Sequence, residues 1–177
     1  MQPFGKTLMV TGGARSGKSR HAQAAAEASA AASGGALVYI ATAQAFDGEM
    51  RDRIERHRAD RDARWRTVEA PIALAEAITS ADGEGATILV DCLTLWASNV
   101  MLAEMDADAA INALLAAIGG LRGRLVLVTN EVGMGIVPDN ALARRFRDLA
   151  GTINQRVAAE VETVDLAVSG LTIRMKG

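Results

Sequence analysis

Eight residues near the start of the chain have the types and the spacing that bind nucleotide phosphates. The segment GGARSGKS, residues 12–19, fits the pattern G-x-x-x-x-G-K-S of a phosphate-binding loop, the P-loop. Backbone amides in such a loop turn toward phosphate oxygens. Lys18 would reach the β- and γ-phosphates, and the Ser19 hydroxyl would hold Mg²⁺. The alternative is a glycine turn that binds nothing.

The residues on either side of this loop predict a strand before it and a helix after it. Residues 7–11 are an apolar run, and residues 20–32 are rich in alanine and contain neither proline nor glycine. A strand, a glycine loop and a helix in this order are the context that the motif requires. The start of the helix also favours an anion, because its first amides are unpaired.

The rest of the chain alternates apolar strands with helices. Further strands are predicted at 36–41, 65–70, 87–91, 125–129, 163–168 and 171–175, and further helices at 47–61, 71–80, 93–102, 106–118 and 141–160. Most of these strands are apolar on both faces, which predicts an α/β fold with a mainly parallel sheet and helices on both faces. Without a linker or a repeat, residues 1–177 are predicted to form a single nucleotide-binding domain. Ligands of such sheets bind beyond the carboxyl ends of the strands.

Composition narrows the class of protein. The net charge is -2 and the isoelectric point about 5.7, which gives no reason to expect nucleic acid or an anionic membrane as a partner. The single cysteine, Cys92, excludes an internal disulfide. No apolar run is long enough to span a bilayer, and the residues before the first strand are too few for a signal peptide. We therefore expect a cytoplasmic protein.

Asp91 ends an apolar strand, as a Walker-B acid does when it holds Mg²⁺ directly or through water. The alternative is that Asp91 caps the helix that follows. The P-loop favours the metal role.

His57 is the candidate for covalent chemistry. It shares a helical face with Met50 and Ile54 in an arginine-rich stretch. Neutral imidazole is a good nucleophile near pH 7, and nearby arginines could offset charge on a phosphorus centre. The alternative for His57 is a structural histidine held by a hydrogen bond. The alternative for the arginines is a helix face exposed to solvent. Glu69, farther along, would contact a ribose or a base, or simply face water.

No base-reading Asn-Lys-x-Asp motif follows the strand at 125–129. The chain continues instead as NEVG at 130–133. A regulatory GTPase is therefore not favoured, and if GTP is the nucleotide, its base is read in some other way.

Several blocks of the sequence together resemble the bifunctional adenosylcobinamide kinase / adenosylcobinamide-phosphate guanylyltransferase family. They lie in the family order and span nearly the whole chain: residues 11–20, 39–42, 53–58, 65–67, 128–138, 145–151 and 154–156. The P-loop alone is not specific, but its combination with the block TNEVGMGIVP after the strand at 125–129 is.

The resemblance implies two reactions in cobalamin assembly. A nucleoside triphosphate, GTP or ATP, first phosphorylates adenosylcobinamide. GMP is then transferred from GTP to adenosylcobinamide phosphate through a GMP–histidine intermediate, for which His57 is the matching position. Relatives often carry a pair of histidines here, whereas this chain has Arg56 before His57.

The resemblance also implies a RecA-like P-loop fold, a homotrimer and a set of site residues. His57 and Lys18 are the predicted catalytic residues, and Ser19 and Asp91 the predicted Mg²⁺ ligands. The predicted nucleotide contacts are Gly12, Gly13, Ala14, Arg15, Ser16, Gly17, Lys18, Ser19, Thr42, Ala43, Gln44, Arg58, Arg61, Glu69 and Asp91.

Two other functions remain open from the residues. One is a small-molecule P-loop kinase that transfers only the γ-phosphate, and the other is a nucleotide-dependent switch with little chemistry of its own. A switch would show slow hydrolysis and no transfer to a corrinoid. The residues do not identify a base for the hydroxyl in the kinase reaction.

Overall fold

A computed structural model describes residues 4–44 and 62–177, in which seven strands and five helices form. The strands are β1 (Thr7–Gly12), β2 (Leu37–Ala41), β3 (Trp65–Glu69), β4 (Thr87–Asp91), β5 (Arg124–Val128), β6 (Thr163–Val168) and β7 (Leu171–Lys176). The helices are α1 (Lys18–Ser33), α2 (Leu74–Ala81), α3 (Leu93–Leu102), α4 (Ala107–Gly119) and α5 (Ala141–Glu160). The helix predicted at 47–61 lies outside the described residues.

The strands form one sheet in the order β3-β2-β4-β5-β1-β6-β7. Each neighbouring pair is parallel except β6 and β7, which form an antiparallel hairpin. This confirms the predicted mainly parallel sheet. The strand that leads into the P-loop, β1, is separated from the strand that ends in Asp91, β4, by one strand only, β5.

Helices cover both faces of the sheet. Val10 of β1 packs with α1 on one face, whereas its neighbour Met9 belongs to the core that α2, α3, α4 and α5 form on the other. The buried residues of α1 are all small: Ala22, Ala25, Ala26, Ser29 and Ala30. Small side chains let the helix backbone lie close to the sheet, which fixes the start of α1 relative to β1.

Helix α5 occupies the predicted residues, and its apolar stripe packs as predicted except at Leu142. Ile153 and Val157 are buried, and Phe146 and Leu149 are partly buried against the same core. Leu142, in the first turn of the helix, is 53% exposed.

The prediction that Pro71 opens a helix is wrong, because α2 begins at Leu74. The carbonyl oxygens of Pro71 and Ile72 accept hydrogen bonds from the side chains of Asn99 and Trp96, each across 2.8 Å. These contacts with α3 keep the segment after β3 out of a helix. No helix among the described residues is both long and apolar enough to cross a membrane.

Candidate nucleotide-binding site

The loop between β1 and α1 requires glycine at both ends. A Cβ atom at Gly12 would lie 2.4 Å from the carbonyl oxygen of Ala167 on β6. Gly17, the residue before α1, has a φ of 93°, in the left-handed region where other residues are strained. The packing and conformation of the loop backbone therefore require glycine at both positions, whether or not a ligand binds.

The same loop has the donors that a phosphate group needs. No side chain caps the start of α1, so its first amides remain available to an anion. The Nζ atom of Lys18 donates to the carbonyl oxygen of Gly13 across 3.0 Å, which holds it over the loop. The buried Oγ atom of Ser16 has no hydrogen-bond partner within residues 4–44 and 62–177. These features suit the phosphates of a nucleoside triphosphate, and the partly exposed Ser19 is suited to be a Mg²⁺ ligand.

The hairpin of β6 and β7 contacts the P-loop and supports its backbone. In its turn, the amide of Gly170 donates to the carbonyl oxygen of Ser16 across 2.9 Å. Asp165 of β6 is buried and lies 2.9 Å from the Nε2 atom of His21, and it also accepts a hydrogen bond from Arg174 of β7. His21 is therefore a structural residue that links α1 to the hairpin.

Strands β3, β2 and β4 end side by side at the edge where the P-loop lies. Glu69, Ala41 and Asp91 are in register across these three strands, and Asp91 is in register with Val128, which pairs with Val10 before the P-loop. The structure thus brings Asp91, the segment after β2 and the P-loop to one edge, as the sequence predicts, and it also places Glu69 at that edge.

Asp91 does not cap the next helix. The N-cap residue of α3 is Cys92, and no side chain caps this helix. The Asp91 carboxylate instead accepts a hydrogen bond from the hydroxyl of Tyr39 across 3.2 Å, and the residue remains partly exposed. An oriented carboxylate at this edge fits a metal ligand, and it removes the alternative left open by the sequence.

Thr42 is fully buried, and its hydroxyl is occupied by the backbone of Cys92. The Oγ1 atom donates to the carbonyl oxygen of Cys92 and accepts from its amide, both across 2.8 Å. Ala43 and Gln44 are partly exposed and so are better placed to contact a ligand directly.

Asn99 of α3 is a residue that sequence reasoning missed. Its side-chain amide is buried and donates to the carbonyl oxygens of Thr42 and Pro71, each across 2.8 Å. It thereby ties together the segments after β2 and β3, which carry predicted nucleotide contacts. An asparagine in a largely apolar helix, whose other polar residues are Thr94 and Ser98, was the available signal, because a buried amide needs partners.

Cys92 is not a nucleophile in this site. Burial raises the pKa of its thiol to about 11, and the neighbouring Asp91 carboxylate acts in the same direction. The thiol therefore stays protonated at neutral pH.

The segment after β5 touches the P-loop directly. The amide of Glu131 donates to the carbonyl oxygen of Gly12 across 3.2 Å. Asn130 is held from α5, because the side chain of Asn154 donates to its carbonyl oxygen across 3.1 Å. The sequence predicts this loop at the carboxyl edge of the sheet, and the structure confirms that position and adds the direct contact with the P-loop.

Glu69 is exposed and borders a cleft of about 480 Å³ between the end of β3 and α2. His57, Arg58 and Arg61 lie outside the described residues. Within the described residues, no three histidine, cysteine, aspartate or glutamate residues cluster as a metal site. A Mg²⁺ ion beside a P-loop does not need such a cluster, because phosphate oxygens and water fill most of its positions.

Comparison with known proteins identifies relatives along almost the whole chain. Residues 8–175 match the model of the family described as cobinamide kinase / cobinamide phosphate guanyltransferase. The bifunctional adenosylcobalamin biosynthesis protein CobP of Pseudomonas aeruginosa is 50% identical over 171 residues, which cover 96% of each chain. The proteins named CobU of Salmonella typhimurium and Escherichia coli are 43% and 42% identical, over 96% of this chain and 99% of theirs.

Proposed function

The chain belongs to the cobinamide kinase / cobinamide phosphate guanyltransferase family, and on this premise we propose that it transfers GMP through a covalent intermediate on His57. The enzymes of this family are bifunctional and act in cobalamin biosynthesis. They phosphorylate adenosylcobinamide and then transfer GMP from GTP to adenosylcobinamide phosphate. The observation that supports nucleotide binding is that the P-loop, Asp91 and Glu69 all lie at the carboxyl edge of one sheet, and the family supports the role of His57.

The P-loop would serve both reactions with the same residues. Lys18 and the amides at the start of α1 would bind the β- and γ-phosphates, joined by the rest of the loop. Ser19 and Asp91 would hold Mg²⁺, which when bound neutralises charge on the phosphates. The proposed nucleotide contacts beyond the loop are Thr42, Ala43, Gln44, Arg58, Arg61, Glu69 and Asp91.

In the guanylyl transfer, an imidazole nitrogen of His57 attacks the α-phosphorus of GTP. The bond from that phosphorus to the bridging oxygen breaks, and pyrophosphate leaves with its charge held by Lys18. The phosphate of the corrinoid then attacks the same phosphorus and releases His57. In the kinase reaction, the acceptor hydroxyl attacks the γ-phosphorus instead. That reaction mainly requires that the two reactants are positioned and that the charge on the phosphates is neutralised.

Labelled GTP tests the covalent step. Enzyme incubated with GTP labelled on the α-phosphorus, then denatured, should retain an acid-labile label, and enzyme incubated with γ-labelled GTP should retain none. His57→Ala should abolish retention, whereas His21→Asn, a change at the other histidine, should keep it. A label from the γ-position, or α-label retained by His57→Ala, would contradict the proposal. The absence of any label would support a kinase without the covalent step.

We also propose that the enzyme is a homo-oligomer, a trimer by analogy with the family. The supporting observation is an exposed apolar surface on the hairpin of β6 and β7. Its four side chains are 51% to 74% exposed: Val168, Leu171, Ile173 and Met175. An apolar surface of this kind favours association. Sedimentation velocity of the wild type and of Ile173→Lys tests this proposal, which a monomeric wild type would contradict.

We further propose that residues 1–177 form one nucleotide-binding domain that acts in the cytoplasm on adenosylcobinamide, its phosphate and GTP or ATP. Limited proteolysis with and without GTP tests the domain assignment, since one domain should give one protected core. Cell fractionation tests the location.

A further inference from the structure

The two reactions differ in their need for a base. In the kinase reaction the nucleophile is a hydroxyl, which must lose its proton as it attacks the γ-phosphorus. In the guanylyl transfer the nucleophiles are an imidazole and a phosphate, and neither requires a base. A residue that accepts the hydroxyl proton should therefore serve only the kinase reaction.

Among the acidic residues in the described parts of the chain, Glu131 is the one joined most directly to the P-loop. It follows β5, the strand between β1 and β4, so it lies between the P-loop and Asp91 along the sheet edge. Its amide donates to the carbonyl oxygen of Gly12, the first residue of the loop. This places the backbone of Glu131 against the first residue of the phosphate-binding loop.

The carboxylate of Glu131 is oriented by one of its two oxygens, and the other oxygen is left for a ligand. Its Oε1 atom accepts the amide of Gly133 across 2.6 Å, which closes a tight turn. Within the described ranges, no hydrogen bond reaches its Oε2 atom and no lysine or arginine forms an ion pair with it. The residue is partly exposed. The turn is itself held from α5, because the guanidinium of Arg147 donates to the carbonyl oxygen of Gly133.

The turn that Glu131 closes also borders a cleft with space for an acceptor. A cleft of about 630 Å³ lies between this turn and α5, bordered by Gly133, Val137, Arg147 and Gln155. Its lining offers both donors and acceptors, as the carboxamide groups of a corrinoid require. An acceptor in this cleft would lie against Gly133, two residues from Glu131.

The other carboxylates at this edge suit the role less well. Glu69 on β3 is four strands from β1, about 19 Å at a spacing of about 4.8 Å between strands. Asp91 is oriented by Tyr39 and is the proposed Mg²⁺ ligand. Glu131 is one strand from β1.

We propose that Glu131 is the general base of the kinase reaction. Its carboxylate takes the proton of the acceptor hydroxyl as the hydroxyl oxygen forms a bond to the γ-phosphorus. The bond from that phosphorus to the β-phosphate oxygen breaks, and the nucleoside diphosphate leaves. This inference rests on the kinase activity of the family and is independent of the covalent step on His57.

Glu131→Gln tests the proposal, because a glutamine keeps the hydrogen bond to Gly133 and loses only the ability to take up a proton. We expect kcat for phosphorylation of adenosylcobinamide to fall by about 10²- to 10⁴-fold, with KM for the nucleotide within about twofold. Guanylyl transfer to presynthesised adenosylcobinamide phosphate should stay within about twofold of wild type. Glu131→Asp, which keeps the carboxylate, should recover part of the kinase activity.

The matched control is Asp139→Asn, which makes the same chemical change at an exposed residue of the same loop and should leave both activities unchanged. An unchanged kinase rate in Glu131→Gln would overturn the proposal. An equal loss of both activities would also overturn it, because it would show a structural role. Retention of α-label by Glu131→Gln separates this test from that of His57.

Discussion

The amide of Gly170, in the turn between β6 and β7, donates to the carbonyl oxygen of Ser16 in the P-loop across 2.9 Å. A Cβ atom at Gly17 would lie 3.2 Å from the Cα atom of Gly170, so the two backbones are in close contact. The hairpin farthest along the chain therefore supports the loop nearest its start. Substitutions in this turn should therefore change nucleotide binding, although no residue of the turn is a proposed ligand.

Gly170→Ala should weaken nucleotide binding as well as stability. Gly170 has a φ of 81°, so alanine there should cost about 1 kcal/mol and shift the turn. Gly34→Ala is the matched control, because Gly34 has a φ of 68° and open space around it at the far end of α1. Both variants should lose similar stability in urea unfolding, but only Gly170→Ala should raise KM for GTP. Equal KM values would show that the turn does not shape the loop.

Asn99→Ala should destabilise the protein and loosen the segments after β2 and β3. The change leaves the carbonyl oxygens of the buried Thr42 and the partly buried Pro71 without their donor, at a cost of about 2–3 kcal/mol. Urea unfolding measures the loss, and KM for GTP should rise. Asn112→Ala removes an exposed amide whose oxygen accepts a hydrogen bond from the partly exposed Arg156, and it should cost less than about 0.5 kcal/mol. Similar losses for both variants would refute the role of Asn99.

Cys92 should resist alkylation in the folded protein. Its thiol is buried, and burial raises its pKa to about 11, so at pH 8 the reactive thiolate is scarce. Mass spectrometry after iodoacetamide should show slow modification that becomes fast in urea. Because the folded pKa is raised, the thiol favours folding fully below the unfolded pKa near 9, and this contribution is lost as the pH rises toward 11. The unfolding free energies of wild type and Cys92→Ala should converge or cross over that range, and a constant difference would contradict the shift.

Asp82, after α2, should contribute stability that acid removes. Burial acts to raise the pKa of its carboxyl, but hydrogen bonds from the amides of Gly123 and Arg122, at 2.8 and 2.9 Å, outweigh burial and hold the pKa below its ordinary value. The contribution is therefore present above the unfolded pKa near 4 and lost as the pH falls through the folded pKa. At pH 7, Asp82→Ala should cost about 1–3 kcal/mol, and the difference from wild type should shrink below pH 4.

Glu84→Ala is the control for Asp82, since Glu84 is exposed in the same turn and should change stability by less than about 0.5 kcal/mol. A loss in Asp82→Ala that is independent of pH would indicate that packing, not the carboxylate, is responsible.

The sequence by itself determined the elements, the P-loop and the family. Glycine and proline positions, apolar runs and helical periodicity are local, so they located helices such as α5 at its observed bounds and the turn at Ser169 and Gly170. The P-loop was readable because its glycines, lysine and serine lie within eight residues. Asp91 was placed correctly because an acid at the end of an apolar strand falls at the carboxyl edge of a parallel sheet.

Only the tertiary structure decided which distant residues meet. Pro71 does not begin a helix because side chains of α3, more than twenty residues later, bind the carbonyl oxygens there. Asn99 and Glu131 form hydrogen bonds with segments that are remote in the chain. These contacts depend on strand order, which local patterns do not encode. The partners of a buried polar group are set by packing, because any nearby carbonyl or amide satisfies it, and packing is a property of the whole fold.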